Sequence, residues 1–168
     1  MNDVFVEHMV ARRSSGAVLL QKCLLALAAL AVAVLSFLFI PVIAMLPAVG
    51  AGWGAFVLIG RLDLEYEYIV TNGEMDVDKI MGRKSRKRLL TVDCRTFDIL
   101  APCKEEHRAE MESQSIATRI DVSAHLSSPG RWFAVYNARD GARTLLIFEP
   151  NERMLEAFRL YIRNKIKN

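Results

Sequence analysis

Apolar positions run almost unbroken from Cys23 to Gly60, and from Arg61 the chain switches to alternating apolar and polar residues. The apolar stretch is about twice the length that one helix needs to cross a hydrocarbon core ~30 Å thick. Pro41 and Pro47 interrupt it, which predicts a tight transmembrane helical hairpin over residues 17–62. The first span runs from Val18 to Ile40 and the weaker second from Pro47 to Leu62. Gly50 and Gly54 form a small-xxx-small pair expected to seat against the alanine-rich first span, with Trp53 near the outer interface. Ahead of the hairpin, residues 1–16 mix Val4, Phe5, Met9 and Val10 with Asp3, Glu7, Arg12 and Arg13. That mixture suits a short amphipathic helix on the membrane surface or a polar leader.

Beyond Arg61 the period is two. Tyr66, Tyr68 and Val70 alternate with Glu65, Glu67 and Ile69, and Asn72-Gly73 then supplies a type I′ hairpin turn, because both residues tolerate positive φ. Met75 and Val77 alternate with Glu74, Asp76 and Asp78 on the return strand, which ends near Met81-Gly82. Its acidic side reads as a solvated outer face. Leu89–Val92 and Phe97–Leu100 are the next strands, the latter stopped by Pro102. Residues 104–115 read as a polar loop with a helical turn at Glu105–Met111. Ile116–Val122, Arg131–Asn137 and Arg143–Phe148 complete seven strands. Asn151 is placed to cap a closing helix, in which Leu155, Phe158, Ile162 and Ile166 recur at helical spacing and Met154 and Tyr161 widen the stripe.

The fold class expected is α+β: a transmembrane helical hairpin, then a seven-stranded antiparallel β-barrel over residues 63–168 capped by a C-terminal α-helix. That plan resembles the pleckstrin-homology-like (PH-like) barrel. The segment from Tyr68 through Thr71-Asn72-Gly73-Glu74 to Ile80 resembles the opening hairpin of bacterial membrane-anchored PH-like domain proteins. Leu90-Thr91-Val92-Asp93 is similar to their third strand and turn. More narrowly, Val4-Phe5-Val6-Glu7, the stretch from Glu65 to Pro102, and Ile147-Phe148-Glu149-Pro150-Asn151 resemble a group of small Firmicutes membrane proteins. The resemblance implies fold and location, and brings no activity with it.

Charge adds orientation. Arg12, Arg13 and Lys22 precede the first span, Arg61 and the Arg83–Arg88 run follow the second, and the connection carries none. By the positive-inside rule this places both termini in the cytoplasm of a two-span protein of the cell membrane. The net charge of +3 is small, and without an arginine-rich recognition helix it argues against a nucleic-acid partner. Cys23, Cys94 and Cys103 lack metal-ligand spacing and read as free thiols.

No motif for catalysis, a metal or a cofactor is present: His8, His107 and His125 fall in unrelated places, and there is no P-loop, HExxH or GxSxG. The aromatic residues follow strand and helix periodicity and read as core. Arg83, Lys84, Arg86, Lys87 and Arg88, expected in the loop between the second and third strands, are the candidate binding residues. Each basic residue near an anionic leaflet contributes about 1 kcal/mol of attraction. The function expected is a membrane-anchored, non-catalytic module that binds a protein partner or anionic lipid at the cytoplasmic surface. The alternative is a structural accessory subunit of a larger membrane complex, docking through the hairpin. A lipid-acting enzyme would need a polar cavity near His107 or His125.

Overall fold

The described chain, which in this computed structural model comprises residues 4–167, has two long apolar helices between its first strand and the rest of its sheets. Helix α1 is Gly16–Phe39, with Ser15 as N-cap accepting a hydrogen bond from the Val18 amide. Helix α2 is Met45–Arg61. Pro47 falls in the first turn of α2, where a missing N–H costs nothing, so the turn between the helices is confined to residues 41–44. Helix α1 is long and apolar enough to cross a membrane, with mean hydropathy 2.4. Helix α2, at 17 residues, spans only about 26 Å. Lys22 and Asp63 pair at 2.6 Å, tying the start of α1 to the residues just beyond α2. The expected Gly50–Gly54 seat is not a close contact: a Cβ at either glycine would meet nothing within 4 Å.

These helices form one compact unit, residues 13–64 with 81–85; residues 4–12, 65–80 and 86–167 form the other. The second unit is built on two four-stranded sheets rather than one closed barrel. Strands β1 (Phe5–Ala11), β2 (Leu64–Thr71), β3 (Glu74–Met81) and β4 (Ser85–Asp93) lie in that order in the first sheet. The second contains β5 (Phe97–Pro102), β6 (Thr118–Asp121), β7 (Trp132–Asn137) and β8 (Arg143–Phe148), ordered β5-β7-β8-β6. Helix α3 (Arg108–Met111) follows a 3-10 turn at Glu105–His107, so the 104–115 segment carries the helical turn expected of it. Helix α4 (Glu152–Ile162) closes the chain, with Asn151 accepting from the Met154 amide at 2.9 Å.

Three expectations are corrected. Residues 5–11 of the leader are a strand, not an amphipathic helix; residues 1–3 of it lie outside the described part. β1 pairs antiparallel with β2 from Phe5↔Thr71 to Ala11↔Glu65, turning Val6 and Val10 toward the core. The strand count is therefore eight among the described residues, not seven. Strand β6 runs parallel to β8, so the second sheet is mixed; the Val122–Arg131 connection is long enough to reach β7, which lies antiparallel between β5 and β8.

The core lies between the sheets. Tyr66, Tyr68 and Val70 from β2 and Met75 and Val77 from β3 meet Phe97, Leu100 and Phe148, and α4 inserts Met154, Phe158 and Ile162. Of the strand and C-terminal-helix aromatics read as core, Tyr66, Tyr68, Phe97, Phe133, Tyr136, Phe148 and Phe158 are buried, and Trp132 and Tyr161 are partly so. Ile99, Ala101, Phe133, Val135 and Leu145 form a second cluster, packed by Met111 and Ile116. The three cysteines are free. Burial pushes the Cys94 thiol up to about 11 and also raises Cys103, which keeps both protonated and unreactive.

Candidate functional site

The basic run begins at a turn tighter than its sequence suggests. Gly82 and Arg83 both have φ of +57°, and the Lys84 amide donates to the Met81 carbonyl at 3.2 Å. Two central residues with positive φ make a type I′ turn. The expected basic loop is thereby shortened, and Arg86, Lys87 and Arg88 are residues of strand β4.

That placement brings acids and bases together on the outer face of the first sheet. Glu67 from β2 and Asp78 from β3 are only 1% and 2% exposed, although the alternation places them on the expected solvated side. Arginines from β4 cover them. Arg86 Nη2 hydrogen-bonds Glu67 Oε1 at 3.0 Å and lies 2.7 Å from Oε2. Arg88 bonds Asp78 through Nε and approaches Asp76 at 2.6 Å. Thr91 Oγ1 donates to Asp76. The Glu67 carboxyl is pushed above the usual glutamate range, by burial first and then by its hydrogen bond with Glu7. Arg86 opposes that rise and Asp78 adds to it.

The five candidate residues therefore divide. Arg86 and Arg88 are engaged internally, whereas Lys84 and Lys87 are exposed and form no ion pair among the described residues. Arg83, also exposed, stands beside them in the turn. The Asp76-Val77-Asp78 carboxylates are satisfied by arginine and threonine. Among the described residues no group of three or more His, Cys, Asp or Glu side chains is arranged to hold a metal.

The histidines do not assemble a reactive site. His107 is buried against Phe133, ring centroids 6.2 Å apart. Ser123 Oγ donates to Asp121 at 2.5 Å and lies 3.5 Å from the His125 backbone oxygen, not its ring. The His125 ring instead meets Ser127 at 2.7 Å, and Asp121 is taken by Arg131 at 2.8 Å. Among the described residues, base, nucleophile and orienting acid do not converge around His107 or His125.

Two sheets closed by a capping helix agree with a family match. A family model described as bacterial PH-like domain (DUF6106) matches residues 2–168. The chain belongs to this family. No curated protein matches the chain, and no solved structure does. PH-like domains are generally non-catalytic binding modules, and the family description is bacterial without naming a phylum.

Sequence reasoning missed the part that the turn plays in the helical unit. The Gly82 amide donates to the Asp63 carbonyl at 2.9 Å, and a Cβ on Gly82 would stand 2.9 Å from the Gly60 carbonyl oxygen. Only glycine fits there. The Met81-Gly82 pair was the available signal, but its partner, Gly60, lies on another element. Gly82→Ala is expected to cost about 2 kcal/mol or more, from a left-handed backbone and a backbone clash. Gly50→Ala should cost nothing measurable. Thermal unfolding of the full chain in detergent micelles checks both; equal behaviour of the two variants would refute the close approach.

Proposed function

We propose that this family member is a membrane-anchored, non-catalytic binding module. Helices α1 and α2 act as a two-span hairpin, both termini are cytoplasmic, and the basic turn meets anionic lipid. The observation that carries the reading is apolar surface that the chain itself leaves uncovered: only 6% of the most apolar window of α1 is buried. Leu38, Phe39, Leu46, Trp53 and Phe56 are exposed too. Such surface is stable in lipid and costly in water. Arg61, Arg83 and Lys84 belong to the same compact unit, as the positive-inside rule requires of an inner boundary. Lys84 and Lys87, unpaired, are the stronger lipid contacts, about 1 kcal/mol each. Arg86 and Arg88 serve mainly to neutralise Glu67, Asp76 and Asp78.

The test uses the full chain in lipid nanodiscs, with backbone hydrogen exchange read over residues 81–93. Discs of phosphatidylcholine mixed with phosphatidylglycerol should slow exchange relative to phosphatidylcholine alone. High salt, or Lys84→Gln with Lys87→Gln, should abolish the difference. Equal exchange in both discs sinks the lipid contact.

A protein partner is favoured by a different observation. Strands β4 and β6 are edges of their sheets, and a groove of about 470 Å³ is lined by Leu90 and Thr91 of β4 and Thr118 and Ile120 of β6. Unpaired strand edges accept an added strand. Protection of β4 that ignores lipid charge but follows an added protein would favour this second reading.

A further inference from the structure

We propose that the helical unit holds a single anionic phospholipid in a groove that runs along α2 from Trp53, at mid-helix and not at the outer interface, to Arg61 at its cytoplasmic end. This rests on the membrane anchoring proposed above and names the lipid contact within it. The groove, about 650 Å³, is walled by Trp53, Phe56, Val57 and Met81, with Arg61 and Lys84 among its lining residues. All six belong to the compact unit of residues 13–64 and 81–85.

The groove is built by backbone. The Gly82 amide bonds the Asp63 carbonyl at 2.9 Å, and the glycine at 82 lets the Met81–Lys84 turn come against the Gly60 carbonyl. One wall is the end of a helix, the other a type I′ turn, and neither depends on a side chain that swings away.

Its chemistry is divided along its length. Trp53, Phe56, Val57 and Gly60 recur at spacings of three and four on α2, one apolar stripe of a helix. Trp53 and Phe56 are 70% and 74% exposed, so the stripe ends in surface with no protein covering it. At the other end are two cations. Arg61 and Lys84 form no ion pair among the described residues, whereas the nearby Lys22 and Asp63 neutralise each other at 2.6 Å. Arginine offers a planar fork to phosphate oxygens, and lysine a point charge.

That combination selects an amphiphile. A free phosphate would leave the aromatic wall uncovered, and a zwitterionic lipid brings its own cation against Arg61 and Lys84. A phospholipid with net negative charge satisfies both ends, its phosphodiester between Arg61 and Lys84 and its acyl chain along Trp53 and Phe56. The volume lies within the ordinary range for ligand pockets, about 300–1,000 Å³.

The test is native mass spectrometry of the full chain released from detergent micelles, titrated with phosphatidylglycerol or phosphatidylcholine. One phosphatidylglycerol should be retained in preference to phosphatidylcholine. Arg61→Gln with Lys84→Gln should weaken that retention about tenfold or more. Arg61→Lys with Lys84→Arg, which keeps both charges, should retain it and so exclude a folding defect. Lys104→Gln, at an exposed lysine outside the groove, should leave the count of retained lipid unchanged. Equal retention of both lipids, or undiminished retention by the glutamine pair, overturns the groove as a lipid site. If β4 exchange in nanodiscs still responds to lipid charge, only this proposal fails; if it does not, the broader lipid reading fails with it.

Discussion

Phe158→Ala is expected to lower the unfolding free energy of the sheet unit by about 3–5 kcal/mol, the usual cost of emptying a large buried aromatic site. Phe158 is fully buried against the second sheet: its ring centroid lies 6.2 Å from Phe97 of β5 and 6.2 Å, edge-on, from Phe148 of β8. No neighbour can collapse into the vacancy without moving α4, because Met154 and Ile162 are themselves fully packed against the same cluster. Against the ~5–15 kcal/mol typical of a whole domain, that loss leaves little. Leu160→Ala, two residues away on the exposed face of α4, should stay within about 0.5 kcal/mol. Urea unfolding of the full chain in micelles, followed by near-ultraviolet circular dichroism, measures both. A loss below about 1 kcal/mol for Phe158→Ala would mean that α4 does not seal the core.

The second large effect is electrostatic and depends on pH. Arg86→Met removes the guanidinium facing a carboxyl that is 1% exposed. Orphaning a fully buried ion costs about 3–5 kcal/mol. The Arg86 side chain is itself 55% exposed, so solvent screening reduces the expected loss to about 2 kcal/mol near pH 8.

At lower pH the loss shrinks, because Glu67 escapes its orphaned charge by protonating. The sign follows from the direction of its shift. Burial and Glu7 hold the Glu67 pKa above the unfolded value, so the folded state binds the extra proton. The contribution of Glu67 to stability is complete below the ordinary glutamate pKa of about 4.3 and falls as pH rises through the raised folded value. Arg86 limits that fall; without it the decline steepens. Arg86→Met should therefore differ little from the parent near pH 5 and by about 2 kcal/mol near pH 8. Adding Glu67→Gln should restore most of the loss, since the buried carboxylate that then remains, Asp78, is still paired with Arg88. Urea midpoints at the two pH values decide it, and an equal loss at both would refute the buried-charge account.

Both predictions concern residues whose type was legible in the sequence but whose partners were not. Phe158 belongs to a helical stripe that periodicity identifies as buried, and Asn151 caps that helix as its residue type predicts. The aromatics Phe97 and Phe148 that meet it come from β5 and β8, strands of one sheet that are far apart in the chain. The Glu67 alternation correctly places that residue on the outer face. Its burial follows from Arg86, which reaches it only because Gly82 and Arg83 make a two-residue turn and extend β4 back to Ser85. Reading residues 83–88 as a solvated loop made five equivalent cations of what the fold divides into two engaged arginines, two unpaired lysines and a turn arginine.

Local interactions therefore decided most elements from sequence alone. These include the apolar helices, the Asn72-Gly73 hairpin, seven of the strands, the short helical turn before residue 112 and the capped C-terminal helix. Each is set within a few residues, by side-chain period, by a φ that only certain residues adopt, or by a cap. The family resemblance was legible for the same reason, being carried by contiguous segments. What tertiary structure alone decided is pairing between distant segments. Val6 meets Val70, which makes a strand of a leader too short and mixed to declare itself. Strand β6 chooses a parallel neighbour, two sheets form in place of a closed barrel, and Gly82 comes to rest on Gly60. A one-dimensional pattern records which face of an element is apolar; it does not record which other element covers that face. Here that choice separates paired charges from available ones, and so determines which cations can meet a ligand.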